Sequence, residues 1–304
     1  MNIKELFRDT INIGDWVEWL VDWILMNLEP VLDGISDFIG FLANGFEDLL
    51  RGTPPELMAL VIIALAWWRV SWRFAVFAVI AVALLFGMEL WEETMSTLAL
   101  VLSASLIALV LGLPVGVAMA RSEKVEAIVR PVLDLMQTMP PFVYLIPAAI
   151  FFGLGKVPGT IATVVFAMPP AVRLTNLGIR QVSREHVEAG LAFGCTERQL
   201  LWKVQLPLAM PSIMAGINQT IMLALSMVVI ASMIGAGGLG NTVLTGIQRL
   251  DVGLGFEGGL GVVILAILLD RITQSFGGRA RENGLSGFLR RLFERVSSAA
   301  RKSD

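Results

Sequence analysis

The chain has one cysteine, one histidine and one tyrosine in 304 residues, and only 16% of it is charged. A lone Cys195 excludes an intrachain disulfide, and a lone His186 leaves no cluster with metal-ligand spacing. A phosphate loop of the form G-x-x-x-x-G-K-[ST] is missing too. The one Gly-Lys pair, Gly155-Lys156, runs on into Val157 and has Ile150 where the first glycine belongs. The opening MNIKELFRDT lacks the basic region, apolar run and small-residue cleavage site of a secretory signal, so the spans are expected to do their own targeting. No group stands in a pattern that general acid–base or nucleophilic chemistry needs. The reading is of a protein without catalytic residues, cofactor, metal or nucleic-acid partner.

Apolar residues are abundant instead: they make up 56% of the chain, and the mean hydropathy is +0.74. That exceeds what a soluble core requires and identifies an integral membrane protein, with helical spans of roughly 20 residues each. Long uncharged runs place candidate helices near 57–72, 74–91, 94–120, 135–155, 157–177, 208–234 and 254–272. Arg69 and Arg73 separate the first two, each short for a full crossing, so a helical hairpin and a peripheral pair are both open.

Seven crossings put the termini on opposite sides. Lys4, Arg8, Arg51, Lys156 and Arg249 fall on one side, and the other takes the remaining 18 of 23 basic residues, which makes it cytoplasmic. The expected arrangement is a multi-pass protein of the cytoplasmic (inner) membrane, N-terminus outside and C-terminus inside.

The chain divides into four regions: an acidic, amphipathic, extracytoplasmic segment over 1–53, a peripheral helix pair over 54–91, a core over 92–275, and a basic cytoplasmic tail over 276–304. In the first, Val31, Leu32, Ile35, Phe38, Ile39, Leu42, Phe46 and Leu49 recur at helical spacing. This reads as a helix lying on the outer face and bracing the spans, or as a docking surface for an external partner. In the tail, Leu285, Phe288, Leu289, Leu292, Phe293 and Val296 form a stripe beside Arg290, Arg291 and Arg295, the pattern of a helix resting on anionic membrane lipid.

One charged, glycine-punctuated island interrupts the apolar chain on the cytoplasmic side: EAGLAFGCTERQLLWKVQLPLAMP, residues 188–211. Ser183 can cap a short helix through Phe193, with Glu185 and Glu188 near its positive end. Gly194 offers a left-handed stop, and Thr196 with Gln199 forms a capping-box pattern that starts a second helix. Pro207 marks the return into the membrane. The product is two short helices at an angle, with Leu191, Phe193, Leu200, Leu201 and Val204 toward the scaffold and Arg184, Glu188 and Gln199 toward the cytoplasm. His186 sits here without a catalytic partner and reads as a solvated or surface residue.

The spacing Glu188-Ala189-Gly190, three residues, Gly194, nine residues, Val204, one residue, Leu206-Pro207 resembles the cytoplasmic EAA loop of ABC importer permeases: EAA, three, G, nine, I, one, LP. Gly190 stands for the second alanine and Val204 for isoleucine. QTMPPFVYLIPAAIFFGLGKVPGTIATVVFAMPPAVRLTNLGIRQV before the island, and GINQTIMLALSMVVIASMIGAGGLG with GIQRLDVGLGFEGGL after it, are similar to the membrane subunit of glycine betaine/proline betaine importers, over roughly 92–275. The resemblance implies an all-α membrane protein of the type I ABC importer permease fold, with about seven transmembrane helices and amphipathic helices at both ends. It implies a homodimer forming the pathway, cytoplasmic ATPase subunits, and an extracytoplasmic substrate-binding protein. Coupling to the ATPase is expected over 184–207, at Arg184, Glu188, Ala189, Gly190, Gly194 and Pro207.

GAGGLG, Gly235 to Gly240, satisfies G-x-G-x-x-G but follows an apolar helix rather than a strand, so it reads as a break in the sixth span near the outer surface. NTVLTGIQ after it would lie along the interface or dip back toward the pathway. Gln137, Tyr144, Asn218, Gln219 and Ser226 are candidate pathway residues, because polar groups within a bilayer carry a cost that implies purpose. Interhelical hydrogen bonding explains such residues equally well. Pro140, Pro141, Pro147, Pro169 and Pro170 suit helices bent around a cavity. An ion-coupled secondary transporter of quaternary ammonium compounds is the alternative; its candidate carboxylates, Glu89, Asp134 and Asp270, lie at span ends.

A synthetic tail peptide should gain helical circular dichroism on anionic vesicles and not on neutral ones; no change on either would refute the lipid-binding reading of the tail.

Overall fold

The computed structural model describes residues 13–277, so the amphipathic tail expected over 276–304 lies almost wholly outside the described residues. A bilayer offers the backbone no hydrogen-bond partner, which leaves the helix as the way for a single segment to cross. Among the described residues every regular element is helical. We label them α1 (Ile13–Gly52), α2 (Pro55–Leu65), α3 (Trp72–Gly87), α4 (Trp91–Arg121), α5 (Glu123–Thr138), α6 (Pro141–Phe152), α7 (Lys156–Arg180), α8 (Arg184–Ala192), α9 (Glu197–Leu200), α10 (Leu206–Ser226), α11 (Val228–Ser232), α12 (Leu239–Arg249) and α13 (Val252–Phe276). Wider π-helical turns at Ala66–Val70 and Leu201–Gln205 extend α2 and join α9 to α10.

Among the described residues four helices are long and apolar enough to cross: α4, α7, the continuous Glu197–Ser232 rod and α13. The count rises to six if each of two bent pairs, α1 with α2 and α5 with α6, is one span. The seventh apolar helix, α3, has only 16 residues. The expected 135–155 span is therefore broken, with a bend of 101° between α5 and α6. Its cause is Pro140-Pro141, since the residue before a proline is driven out of helical geometry and Met139 sits at ψ 135°. Helices α2 and α3 are separated by the π-helical turn that carries Arg69, and Ser71 caps α3 by accepting from the Phe74 amide.

α4, α7 and α10 form the centre, and small residues let them touch. A Cβ on Gly116 would fall 2.6 Å from the Val172 carbonyl, and one on Gly178 would fall 2.7 Å from Ser212 Cβ. Gly112-x-x-x-Gly116 on α4 is thus a close-packing face of the small-xxx-small type. Beyond the rod, Gly235, Gly237 and Gly238 all take positive φ, the predicted break. The segment after this break, NTVLTGIQ, folds against the last helix. Thr242 and Val243 pack on Gly258, Leu239 packs on Gly261 and Gly246 on Gly255, so α12 folds back antiparallel along the first half of α13.

Helix α1 crosses the Lys156 end of α7 and the Trp91 end of α4. Its packed face is Ile39, Ala43, Glu47 and Leu50, while Val31, Ile35, Phe38 and Leu49 of the predicted stripe stay exposed. The contact is anchored by Glu47, which accepts from Ser96 Oγ (2.8 Å), Arg51 (3.2 Å) and Lys156, while Arg51 also pairs with Glu92. Burial pushes the Glu47 carboxyl up, but the hydrogen bonds from Lys156 and Ser96, the Lys156 charge and Arg51 outweigh it and hold the pKa below its ordinary value.

A carboxylate with a lowered folded pKa stabilises above its ordinary pKa and loses that contribution as pH falls through the folded value. Lowering the pH below about 4, the ordinary glutamate range, should therefore loosen α1 and speed its cleavage by an acid-active protease. Glu47→Gln should show fast cleavage at every pH; equal protection of both proteins would contradict the assignment.

Candidate functional site: the elbow and the polar residues of the bundle

The 184–207 island folds as a sharp elbow. Ser183 occupies the N-cap position of α8, yet its hydroxyl is bonded to His186 Nδ1 rather than to a backbone amide. The helix stops as predicted at Gly194, φ +78°, where the Cys195 amide donates to the Gly190 carbonyl (3.1 Å) and the Gly194 amide to the Leu191 carbonyl (2.9 Å). The capping box then forms: Thr196 Oγ1 accepts from the Gln199 amide (3.4 Å) and Gln199 Oε1 from the Thr196 amide (2.9 Å).

From Glu197 the chain does not make a second separate short helix. It runs as one 36-residue rod to Ser232. Pro207 would ordinarily break such a rod, because it lacks an N–H and its ring clashes with the preceding turn. The π-helical turn Leu201–Gln205 lies immediately before it, with the Leu206 amide reaching five residues back to Leu201. That wider turn accommodates the proline, so the elbow and the membrane helix become one body.

Gly190, the departure from the second alanine, is buried, and a Cβ there would fall 2.8 Å from Leu200 Cδ1. The glycine lets α8 lie directly on the start of the rod. Arg121 of α4 reaches Glu197 (3.3 Å) and fastens the corner to a second helix. Arg184, Glu188, Ala189, Gly194 and Pro207 are exposed.

Two orientations differ from expectation. Leu200 and Leu201 are buried and Val204 is half-buried, but Leu191 and Phe193 point outward, Phe193 at 90% exposure. The packed side of α8 is set by Gly190; Leu191 lies about 100° further round and Phe193 beyond the last turn. With Trp202 they give the elbow an apolar outer surface.

Among the described residues no hydrogen bond joins any two of the five candidate pathway residues. Asn218 of α10 donates to Asp270 (2.8 Å) and accepts from Thr273 (2.6 Å), a bond between α10 and α13. Tyr144 is buried, its hydroxyl donating to the Met136 carbonyl across the α5–α6 corner. Gln219 and Ser226 are both exposed, and Ser226 donates to its own helix at Met222 (3.0 Å). Gln137 lies on the exposed polar side of α5.

Ion pairs along the α5–α7 seam, Glu126–Arg180 (2.7 Å) and Asp134–Arg173 (2.5 Å), escaped the reading by hydropathy. The available signal was the arginine at 173 within an otherwise apolar span and the alternation of Val125, Val129, Leu133 and Met136 with charge along α5.

Residues 108–282 match the family described as binding-protein-dependent transport system inner membrane component. The chain is 50% identical to the glycine betaine/proline betaine transport system permease protein ProW of Escherichia coli, over 93% of this chain and 80% of that one. It is 51% identical to the glycine betaine/carnitine transport permease protein GbuB of Listeria monocytogenes, over 90% and 98%. For the glycine betaine transport system permease protein OpuAB of Bacillus subtilis, identity is 47% over 90% and 97%. The inward-facing MetNI methionine ABC transporter superposes with a TM-score of 0.55 at 22% identity, covering 60% of this chain and 91% of that one. The fold is that of a type I ABC importer permease, not of an ion-coupled carrier. The chain belongs to the family of inner-membrane components of binding-protein-dependent transport systems, and is a multi-pass membrane protein.

Proposed function

We propose that this permease imports glycine betaine and related quaternary ammonium zwitterions, with two copies forming the pathway. ATP is hydrolysed on separate cytoplasmic subunits that grip the elbow, and substrate arrives on an extracytoplasmic binding protein. The N-terminus lies outside and the C-terminus in the cytoplasm. The region around α1 is the bracing segment, α2 and α3 are peripheral, and the core extends from α4 to α13.

The observation that carries this reading is the joining of α8, through a left-handed glycine and a capping box, to a helix that continues unbroken into the bundle. A loop with many soft joints absorbs a push, whereas this corner is fixed at Gly194, at the Thr196–Gln199 cap and at the turn before Pro207. Sidedness is supported by charge. Arg69 lies on the ring of Phe276 (4.1 Å) at the end of α13, and Arg121 and Arg180 end α4 and α7, so the basic residues collect at the elbow's end of the bundle. The substrate class is supported by relatives whose names specify glycine betaine.

Reconstituted with its ATPase and binding protein, the wild-type chain should take up labelled glycine betaine only with ATP; uptake driven by a sodium or proton gradient alone would refute the proposal. Glu188→Lys should leave the subunit inserted and assembled while uptake falls at least about tenfold relative to ATP hydrolysed. Gly194→Val forces a β-branched residue into left-handed geometry at roughly 1–2 kcal/mol and should lower uptake with little effect on membrane abundance; normal transport in either variant would sink the coupling role.

A further inference from the structure

Two ion pairs join α5 to α7, and they are built differently. At the first, Arg180 pairs with Glu126 (2.7 Å), donates to Asn176 Oδ1 (3.0 Å) and to the Met119 carbonyl (3.0 Å), and Asn176 in turn donates to Glu126 (3.3 Å). That guanidinium is fixed from three sides and acts as a structural clamp. At the second, Arg173 and Asp134 meet through a single contact of 2.5 Å. One of about five donors on the guanidinium and one of about four lone-pair positions on the carboxylate are used there. Both side chains are open, at 40% and 56% exposure.

Their backbones, in contrast, are held firmly. Leu133 and Val172, the immediate neighbours of the two charges, are fully buried in one cluster with Met119. Two charged groups with unused hydrogen-bonding capacity thus project from a rigid seat.

Depth decides what they face. Arg173 lies 17 residues beyond Lys156 on α7, about 26 Å at about 1.5 Å per residue. With Lys156 taken as the outer end of the span, that is still within a hydrocarbon core of about 30 Å. Charged side chains at such a level turn toward a bundle interior or a water-filled cavity rather than toward lipid. Gln137 and Thr138 continue the same exposed polar side of α5 toward the Pro140 corner.

We propose that the Asp134–Arg173 pair is a binding point for a zwitterionic substrate near the inner mouth of the pathway. The guanidinium takes the substrate carboxylate through its free fork of donors, and the Asp134 carboxylate faces the quaternary ammonium. A simple cation is repelled by Arg173 and a simple anion by Asp134, whereas a molecule carrying both signs exchanges one ion pair for two and adds no net charge to the site. A quaternary ammonium has no proton to donate, so its attraction to Asp134 is Coulombic and undemanding in geometry. Solvent exposure keeps the site weak, which an exit requires. This inference rests on the proposed betaine specificity.

The test uses the complete reconstituted complex and labelled glycine betaine. Asp134→Asn with Arg173→Gln removes both charges without leaving either unpaired, so a merely structural pair would tolerate it. We expect uptake to fall at least about tenfold with assembly and binding-protein affinity intact. Asp134→Arg with Arg173→Asp restores both signs and should recover uptake to within about threefold of wild type. Uptake within about twofold of wild type in the doubly neutral protein, loss of its assembly, or no recovery in the reversed pair each overturns the proposal. A wild-type complex that hydrolyses ATP but takes up no betaine refutes the substrate reading instead, and is seen on the unaltered protein.

Discussion

The contact on which the rest of the molecule depends is the glycine-mediated approach of α7 to its two neighbours. In lipid the hydrophobic effect cannot drive one apolar helix against another, so association falls to dispersion at close range. Gly116 admits the Val172 carbonyl of α7 to α4, Gly178 of α7 admits Ser212 of α10, and Gly216 of α10 lies against Leu174 and the Pro170 carbonyl. Three helices locked this closely move together or not at all. A displacement applied to the α10 rod is therefore delivered to α7 and α4 rather than lost in side-chain slack.

The elbow exploits that rigidity. Its few adjustable joints are each fixed by a different device: a left-handed glycine at 194, a reciprocal cap at Thr196 and Gln199, and a π-helical turn that admits Pro207 without breaking the rod. Phe193, Leu191 and Trp202 remain outside, uncovered by the described residues. At the opposite end of the bundle, Glu47 gathers Lys156, Arg51 and Ser96 and fixes α1 across α4 and α7. The core is braced by α1 at one end and carries the elbow at the other.

Much of this could be read directly from the sequence. The all-helical membrane fold, the Gly194 stop, the Thr196–Gln199 box and the break at Gly235 to Gly238 arise from local rules that tertiary structure does not override. Long-range facts were harder. Glu47 looked like one more acid on an acidic helix, because nothing local reveals that Lys156 and Ser96 approach it. Leu191 and Phe193 looked like core, because apolar character does not distinguish a scaffold contact from a partner surface. Asn218 left glue and pathway equally open, because nothing local shows that Asp270 and Thr273 lie beside it. Pro207 reads as a stop under the rule for ordinary helices; the preceding π-helical turn, invisible in periodicity, changes the outcome.

The most direct test of the coupling role is photo-crosslinking from position 193 in the assembled complex, with a photoreactive phenylalanine analogue in place of Phe193. The elbow should form an adduct with the nucleotide-hydrolysing subunit, in a yield that differs between ATP-bound and nucleotide-free states. Adducts with lipid alone, or labelling of position 193 by a membrane-impermeant reagent applied outside intact cells, would contradict it.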